Sequence, residues 1–373
     1  MEGRGGPMRI GLDAHVLGRR QAGNETYTLG LAKALDRAPE VDLVLYLDGG
    51  AEFGSTNGTR IRHLAFRRAQ PRIALELPRR ARLDRLDVLH MQYVVPPLPG
   101  VPVVTTIHDL SFLDVPHLLP PARALRLRVT VADAVRRSAV VLTPSSFSRD
   151  RLLHHYPVPP ERVIAAPPLL APLPAADDAA PEDVAAVRLA LHLERPFVLA
   201  VGELQPRKNV ARLVEAMALA RRDGLDTDLV LVGRRGWRAD EVDRAIAVHG
   251  AASWVRLLGY APARTVQALY RAARLVAFVS LYEGFGLPVL EAMAAGTPVL
   301  ASKAGSIPEV AADGALLVDP LDTRAMAEAL ASLATDEALR TTLAAAASRR
   351  VAHYRSGSGL DAVINAYRQA IAR

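Results

Sequence analysis

No cysteine occurs among the 373 residues. That excludes disulfides and cysteine-ligated metal sites, and it fits a reducing, cytoplasmic setting. Long hydrophobic runs are missing too. Half of the residues are hydrophobic, yet no apolar run reaches the roughly 18 residues that a membrane helix needs. Residues Met1–Pro7 are glycine-rich and polar and lack the apolar stretch of a secretory signal, so export is not expected. Aromatic residues make up only 5% of the chain. The most basic segment holds few of them and no nucleic-acid motif occurs, so nucleic acid is not an expected partner. Fingerprints of other nucleotide enzymes are also absent. The loop from Gly18 to Gly23 is not G-x-G-x-x-G, which argues against nicotinamide or flavin chemistry, and there is no P-loop. No His, Asp or Glu cluster has metal-ligand spacing. His154 and His155 are adjacent on a helical stretch and point to different faces, so no essential metal is expected.

What the chain does have is length, charge and alternation. A chain of this length predicts about two domains. The formal charge is +7, and all of the excess lies in the first half. Residues 1–168 carry 23 Lys and Arg against 16 Asp and Glu, and the remainder balances at 23 against 23. The densest basic part, Arg60 to Arg85, has nine arginines opposed only by Glu76 and Asp84. It reads as a solvated arginine-rich surface, or as an attractor for an anionic membrane or a phosphorylated acceptor.

Short, almost continuous apolar runs alternate with helical patterns throughout, as expected for buried parallel strands. In the first half the runs are Arg9–Val16, Val41–Leu47, Arg60–Phe66, Asp87–Gln92, Val101–Ile107, Ala139–Thr143 and Val163–Ala166. Helices are expected over Asn24–Asp36, Pro121–Ser138 and Phe147–Tyr156, the last capped by Ser145 or Ser146. Residues 166–182 hold five prolines and no periodicity, and are expected to be a stiff linker between domains 1–170 and 183–357. The alternation then restarts with strands at Phe197–Val201, Asp228–Val232, Val255–Leu258, Leu275–Ser280, Thr297–Ala301 and Ala315–Val318. Two alternating βα halves imply two doubly wound, Rossmann-like parallel sheets, with ligands outside the carboxyl ends of the strands.

The loops at those ends carry the candidate chemistry. Gly202-Glu203-Leu204-Gln205-Pro206-Arg207-Lys208-Asn209 follows a strand and opens a helix, and adjacent cations there can neutralise a diphosphate. Asn209 is the expected N-cap. Glu283-Gly284-Phe285-Gly286 leads into a helix from Leu287. The two glycines let backbone N–H groups approach a ligand, and a helix N-terminus suits an anion. Glu283 and Glu291 supply carboxylates that can accept from sugar hydroxyls. Gly233-Arg234-Arg235-Gly236 either lines a nucleotide pocket or is a plain turn. His108-Asp109 ends a strand and is read either as a packing residue or as facing a ligand cleft. Taken alone, the Arg207-Lys208 pair is equally a surface basic pair.

In order and spacing these pieces resemble the retaining glycosyltransferases of family 4 (group 1), particularly their mannosyltransferase-like members. The E-x7-E element from Glu283 to Glu291 carries most of the likeness, supported by G-E-L-Q-P-R-K-N, L-V-G-R-R-G-W, T-I-H-D-L-S-F-L, T-P-S-S-F-S-R-D and A-G-S-I-P-E-V-A. The resemblance implies the GT-B fold, two Rossmann-like domains facing across a cleft. It implies a metal-independent transfer of a mannose- or glucose-type hexose, with retained configuration, from a GDP- or UDP-sugar to a glycan or lipid-linked acceptor. The setting implied is cytoplasmic or peripheral to the inner membrane face. On the matching positions, Glu283 and His108 would meet the donor sugar and Glu291 the ribose. Arg207 and Lys208 would neutralise the diphosphate, with amides from Gly284, Phe285, Gly286 and Leu287, and Gly23 would cover the phosphates. Gly202, Gly233, Arg234 and Tyr260 would line the donor site. Two departures stand out: Glu203 replaces a common arginine, and the first loop retains one glycine, Gly23, where a pair is usual. The C-terminal helix, about Leu360–Ile371, is expected to pack back on the first domain. A same-fold epimerase or a non-catalytic sugar-nucleotide-binding protein are the rival readings.

Overall fold

The structure, a computed structural model, describes residues 6–19, 22–169 and 181–373. The chain divides into two compact units. One comprises Met1–Leu113, Ala122–Ala171 and Tyr354–Arg373, and the other Asp114–Pro121 and Pro172–His353. Most of the stretch expected as a linker lies outside the described residues.

The first unit is built on seven strands: β1 (Met8–Asp13), β2 (Val41–Asp48), β3 (Arg60–Leu64), β4 (Val88–Gln92), β5 (Val103–Thr106), β6 (Val140–Thr143) and β7 (Val163–Ala165). Every pairing is parallel, in the order β3-β2-β1-β4-β5-β6-β7. The inner strands β4, β5 and β6 are buried almost throughout, which explains their mostly apolar runs. Each fully buried Leu or Val contributes roughly 1.5–3 kcal/mol. One face of the sheet packs against the helix Ala22–Arg37 through Tyr27, Leu31 and Leu35. The same face receives the C-terminal helix Ser358–Ile371 through Val363, Ile364 and Tyr367. The opposite face is covered by Leu77, Ala81 and Ala134. The chain's last helix therefore completes the core of its first strands.

The second unit has six strands: β8 (Phe197–Val201), β9 (Asp228–Val232), β10 (Val255–Gly259), β11 (Leu275–Phe278), β12 (Val299–Ser302) and β13 (Leu316–Val318). They pair in parallel as β10-β9-β8-β11-β12-β13. In both sheets the strand order reverses beside the first strand, between β1 and β4 and between β8 and β11. At such a switch point the two flanking crossovers diverge and leave a crevice at the carboxyl ends.

Two local expectations change, and the basic stretch after β3 gains a structure. Gly23 lies in the first turn of the helix Ala22–Arg37, not in a loop. The first turn of a helix tolerates glycine, and Glu25 there favours the positive helix end. Asn209 occupies the N-cap position of the helix Val210–Arg222, but its side chain does not cap it. Its φ of +58° turns the side chain away, and Nδ2 donates to the carbonyls of Val279 and Pro320, at 3.2 and 2.7 Å. The basic stretch after β3 is helical, from Ala69–Pro71 through a π-helical turn Arg72–Glu76 to Leu77–Leu83. Arg60 and Arg62 pair with Asp42 and Asp84, and Arg72 is buried. Arg67, Arg68, Arg79, Arg82 and Arg85 remain exposed.

Candidate active site

In the second unit the switch point lies between β8 and β11, and the loops that leave these strands carry the candidate side chains. Behind β8, Gln205 leads into a single 3-10 turn, Pro206–Lys208, whose last two residues are the cations. Behind β11, the chain reaches Tyr282 and Glu283 before the helix Leu287–Ala294. The amide of Leu281 donates to the carbonyl of Arg207 at 2.8 Å and holds the two loops together.

Glu283 is 7% exposed. Its Oε2 accepts from Arg207 Nη1 at 2.8 Å, and its Oε1 accepts from Lys208 Nζ at 2.6 Å. Arg207 Nη1 also donates to the Tyr282 carbonyl at 2.8 Å. Burial opposes the charge on Glu283, but the two cations more than offset it and hold its pKa at about 2. Lys208 also lies over the Phe278 ring, with Nζ 4.7 Å from its centre. The structure thus gathers Glu283, Arg207 and Lys208 into one ion trio around a buried carboxylate, with one net positive charge.

Close backbone approach makes this possible. Gly202 has φ +149°, and a Cβ there would meet the Lys208 side chain at 3.4 Å. Gly233 has φ +152°, and a Cβ would fall 1.8 Å from the Gly202 carbonyl oxygen. Gly305 is pressed against the backbone of Glu283, where a Cβ would be 2.5 Å from its oxygen. Ser306 then fastens that oxygen, donating to it from both N and Oγ at 3.1 Å. Gly305 and Ser306 sit within the A-G-S-I-P-E-V-A stretch, where the sequence offers no role for them. Their function is to fix the backbone that carries Glu283.

The helix behind Glu283 starts from Gly286, which is left-handed with φ +99°. Pro288 supplies no N–H, and the amide of Val289 is used on the Gly286 carbonyl. Among the described residues the amides of Gly286 and Leu287 make no hydrogen bond, which leaves them available to an anion. Glu291 lies on the same helix, and its Oε2 accepts from the Tyr270 hydroxyl at 2.8 Å. Burial raises its pKa, with the Tyr270 bond opposing. Gly233 lies at the end of β9, its amide on the Gly259 carbonyl. Arg234 is exposed, and Tyr260 is 47% exposed. Glu203 packs against Gly236, where a Cβ would meet its Oε1 at 2.7 Å. Among the described residues no group of three His, Asp or Glu is placed to hold a metal ion.

His108 and Gly23 belong to the first unit. His108 follows β5, and its Nε2 lies 2.7 Å from Gln92 Oε1 at the end of β4. The Tyr27 ring meets the imidazole edge-on at 4.6 Å and the Tyr93 ring at 5.5 Å. Burial pulls the His108 pKa down to about 4, against the opposing pull of Asp109. Gln92 and Tyr27 have no signal in the sequence, since a lone Gln at a strand end and a Tyr on a helix are commonplace.

Two family models match the chain: "Glycosyltransferase Family 4" over residues 22–169 and "Glycosyl transferases group 1" over residues 185–350. The O-antigen chain mannosyltransferase B of Escherichia coli is 30% identical over 366 residues, covering 92% of this chain and 94% of that protein. The chain belongs to glycosyltransferase family 4, group 1. Among solved structures, the sucrose-phosphate synthase of Thermosynechococcus elongatus aligns with a TM-score of 0.74 at 22% identity, over 98% of this chain and 99% of that one. The Anabaena protein HepE, in complex with UDP-glucose, aligns with a TM-score of 0.71 at 19% identity, over 97% and 98%. These likenesses establish the GT-B fold of this glycosyltransferase. The two family models divide at the same proline-rich stretch where the parallel sheets separate.

Proposed function

We propose that this glycosyltransferase moves a mannose- or glucose-type hexose, with retention of configuration and without a metal, from a nucleoside-diphosphate sugar to a glycan or lipid-linked acceptor. The observation that carries the reading is the Glu283–Arg207–Lys208 trio beside the free amides of Gly286 and Leu287. It combines a carboxylate that sugar hydroxyls can donate to with cations and amides that can take a diphosphate. In a retaining transfer the acceptor attacks on the leaving-group side, and charge builds on the departing diphosphate. Arg207, Lys208 and the two amides are preorganised to meet that charge without a metal ion. Glu283 orients the sugar, and Glu291, tied to Tyr270, is assigned to the ribose. The relative that acts on mannose and the neighbour solved with UDP-glucose support a nucleotide-sugar donor. The acceptor reading draws on that same O-antigen relative.

A peripheral membrane position is part of the proposal. Phe66, Arg67 and Arg68 are exposed in the connection after β3, and Leu75, Arg79 and Leu83 are exposed on the helical run that follows it. Cations beside apolar side chains suit an anionic lipid surface. No described helix is long and apolar enough to cross a membrane.

The test is a thermal-shift screen with GDP-, UDP- and ADP-sugars, followed by transfer assays with the donor that stabilises. Glu283→Ala should abolish transfer while leaving nucleoside-diphosphate binding in place, and Lys208→Ala should weaken the diphosphate itself. No shift with any donor, or normal transfer by Glu283→Ala, would overturn the assignment.

A further inference from the structure

We propose that Gln92 is a positioning residue that locks the His108 imidazole in its Nε2–H tautomer, so that Nδ1 is offered as a hydrogen-bond acceptor to a sugar hydroxyl. The argument is a chain of donors and acceptors with one anchored end. Thr28, fully buried on the helix Ala22–Arg37, donates its only hydroxyl proton to the Asn24 carbonyl at 2.7 Å. With that proton committed, Thr28 Oγ1 accepts from Gln92 Nε2 at 2.8 Å. The amide orientation of Gln92 is thereby set, and its Oε1 faces His108 Nε2 at 2.7 Å. An amide oxygen only accepts. The proton of the imidazole therefore sits on Nε2, and Nδ1 keeps its lone pair.

The surroundings hold the ring in place. Strand residues two apart share a face, so Gln92 stands beside His90 on β4, and His108 stands beyond Thr106 of β5. Thr106 Oγ1 bonds the Tyr27 hydroxyl at 2.9 Å, and Tyr27 sets its ring against His108. Tyr93, on the other contact, has φ +61°, a strained conformation for an aromatic residue. The strain is what brings its ring against the imidazole directly after Gln92. Nδ1 of His108 has no hydrogen bond among the described residues. Titratable groups around the ring are His90, Asp109, Tyr27 and Tyr93, and burial keeps the imidazole neutral at physiological pH. A neutral ring with a lone pair on Nδ1 binds a hydroxyl and repels a carboxylate. The hexose read at this position therefore carries a hydroxyl there, not an acid group. This last step rests on the proposed transferase activity; the tautomer does not.

The test uses the full chain labelled with 15N at histidine, with His108 assigned by the loss of its signal in His108→Gln. Long-range 1H–15N spectra at pH 7.5 should show Nε2 protonated and Nδ1 bare, unchanged down to pH 5. Gln92→Leu should give a mixture of tautomers. Gln92→Glu should raise the pH at which His108 titrates. Thermal melts confirm that each variant is folded. A protonated Nδ1 in the unmodified chain, which is the flipped amide, or an unchanged spectrum in both variants, overturns the proposal. With GDP-mannose and UDP-glucose as donors, kcat/KM for the accepted one should fall about tenfold in Gln92→Leu, as for other orienting partners. An unchanged value would overturn the positioning role. Absence of transfer by the unmodified chain with any donor would instead defeat the functional reading and leave the tautomer result standing.

Discussion

Glu283 sits between two cations with little water around it, and that sets how single changes behave. Glu283→Ala would remove the carboxylate that both part-buried cations share, a loss of about 3 kcal/mol by comparison with other broken ion pairs of low exposure. UDP or GDP should then raise the melting temperature of the variant by more than that of the unmodified chain, since the ligand restores the missing anion. The same carboxylate has a pH consequence. Its pKa is about 2 in the folded chain and near 4.5 ordinarily. Its contribution is full above about 4.5 and is lost as pH falls towards 2, so Glu283→Gln should flatten that part of the acid limb in urea titrations. Gly233 is a steric case. A methyl there meets the Gly202 oxygen at 1.8 Å in a left-handed backbone, so Gly233→Ala should cost about 3 kcal/mol or more, visible as a lowered urea midpoint.

Among the elements, the C-terminal helix Ser358–Ile371 is the one whose attachment is most exposed to test. Tyr367 is fully buried, and its hydroxyl lies 2.7 Å from His90 Nδ1. His90 Nε2 reaches Thr106 Oγ1 at 2.8 Å. Tyr367→Phe would strand one buried nitrogen at a cost of about 1–3 kcal/mol, measurable by urea denaturation. Burial pulls the His90 pKa down to about 3 from an ordinary value near 6.5. The unfolded chain takes up that proton first, so stability should decline as pH falls from about 6.5 towards 3, by at most about 1.4 kcal/mol per pH unit for this ring. The strands of both sheets were readable from the residues alone, because strands buried on both faces run mostly apolar. The helical run Ala69–Leu83 was not, because Pro71 and Pro78 interrupt any helical pattern. The trio's members were legible as charges at strand ends, but not their mutual pairing. That depends on Gly233 and Gly305 letting distant backbone segments close in. Asn209 misled for a related reason: its left-handed backbone redirects a side chain whose type suits a cap.

Across the whole molecule, the +7 charge is concentrated in the residues before the proline-rich stretch, and part of it is spent in ion pairs within the first sheet. The exposed arginines of this stretch, Arg67, Arg68 and Arg79 among them, predict binding to vesicles rich in anionic lipid. Changing all three to glutamate should abolish co-sedimentation with those vesicles while leaving the melting temperature within a degree or so, and unchanged binding would sink the membrane reading. The proposed donor site should behave differently. Arg207 and Lys208 are not bare when a nucleotide arrives, because Glu283 already serves as their resident counter-ion. An incoming diphosphate meets one net charge at short range, inside a pocket that dissolved salt screens poorly. Donor affinity should therefore change little between low and physiological ionic strength, so the enzyme could approach a salty, charged lipid surface without losing its grip on the nucleotide.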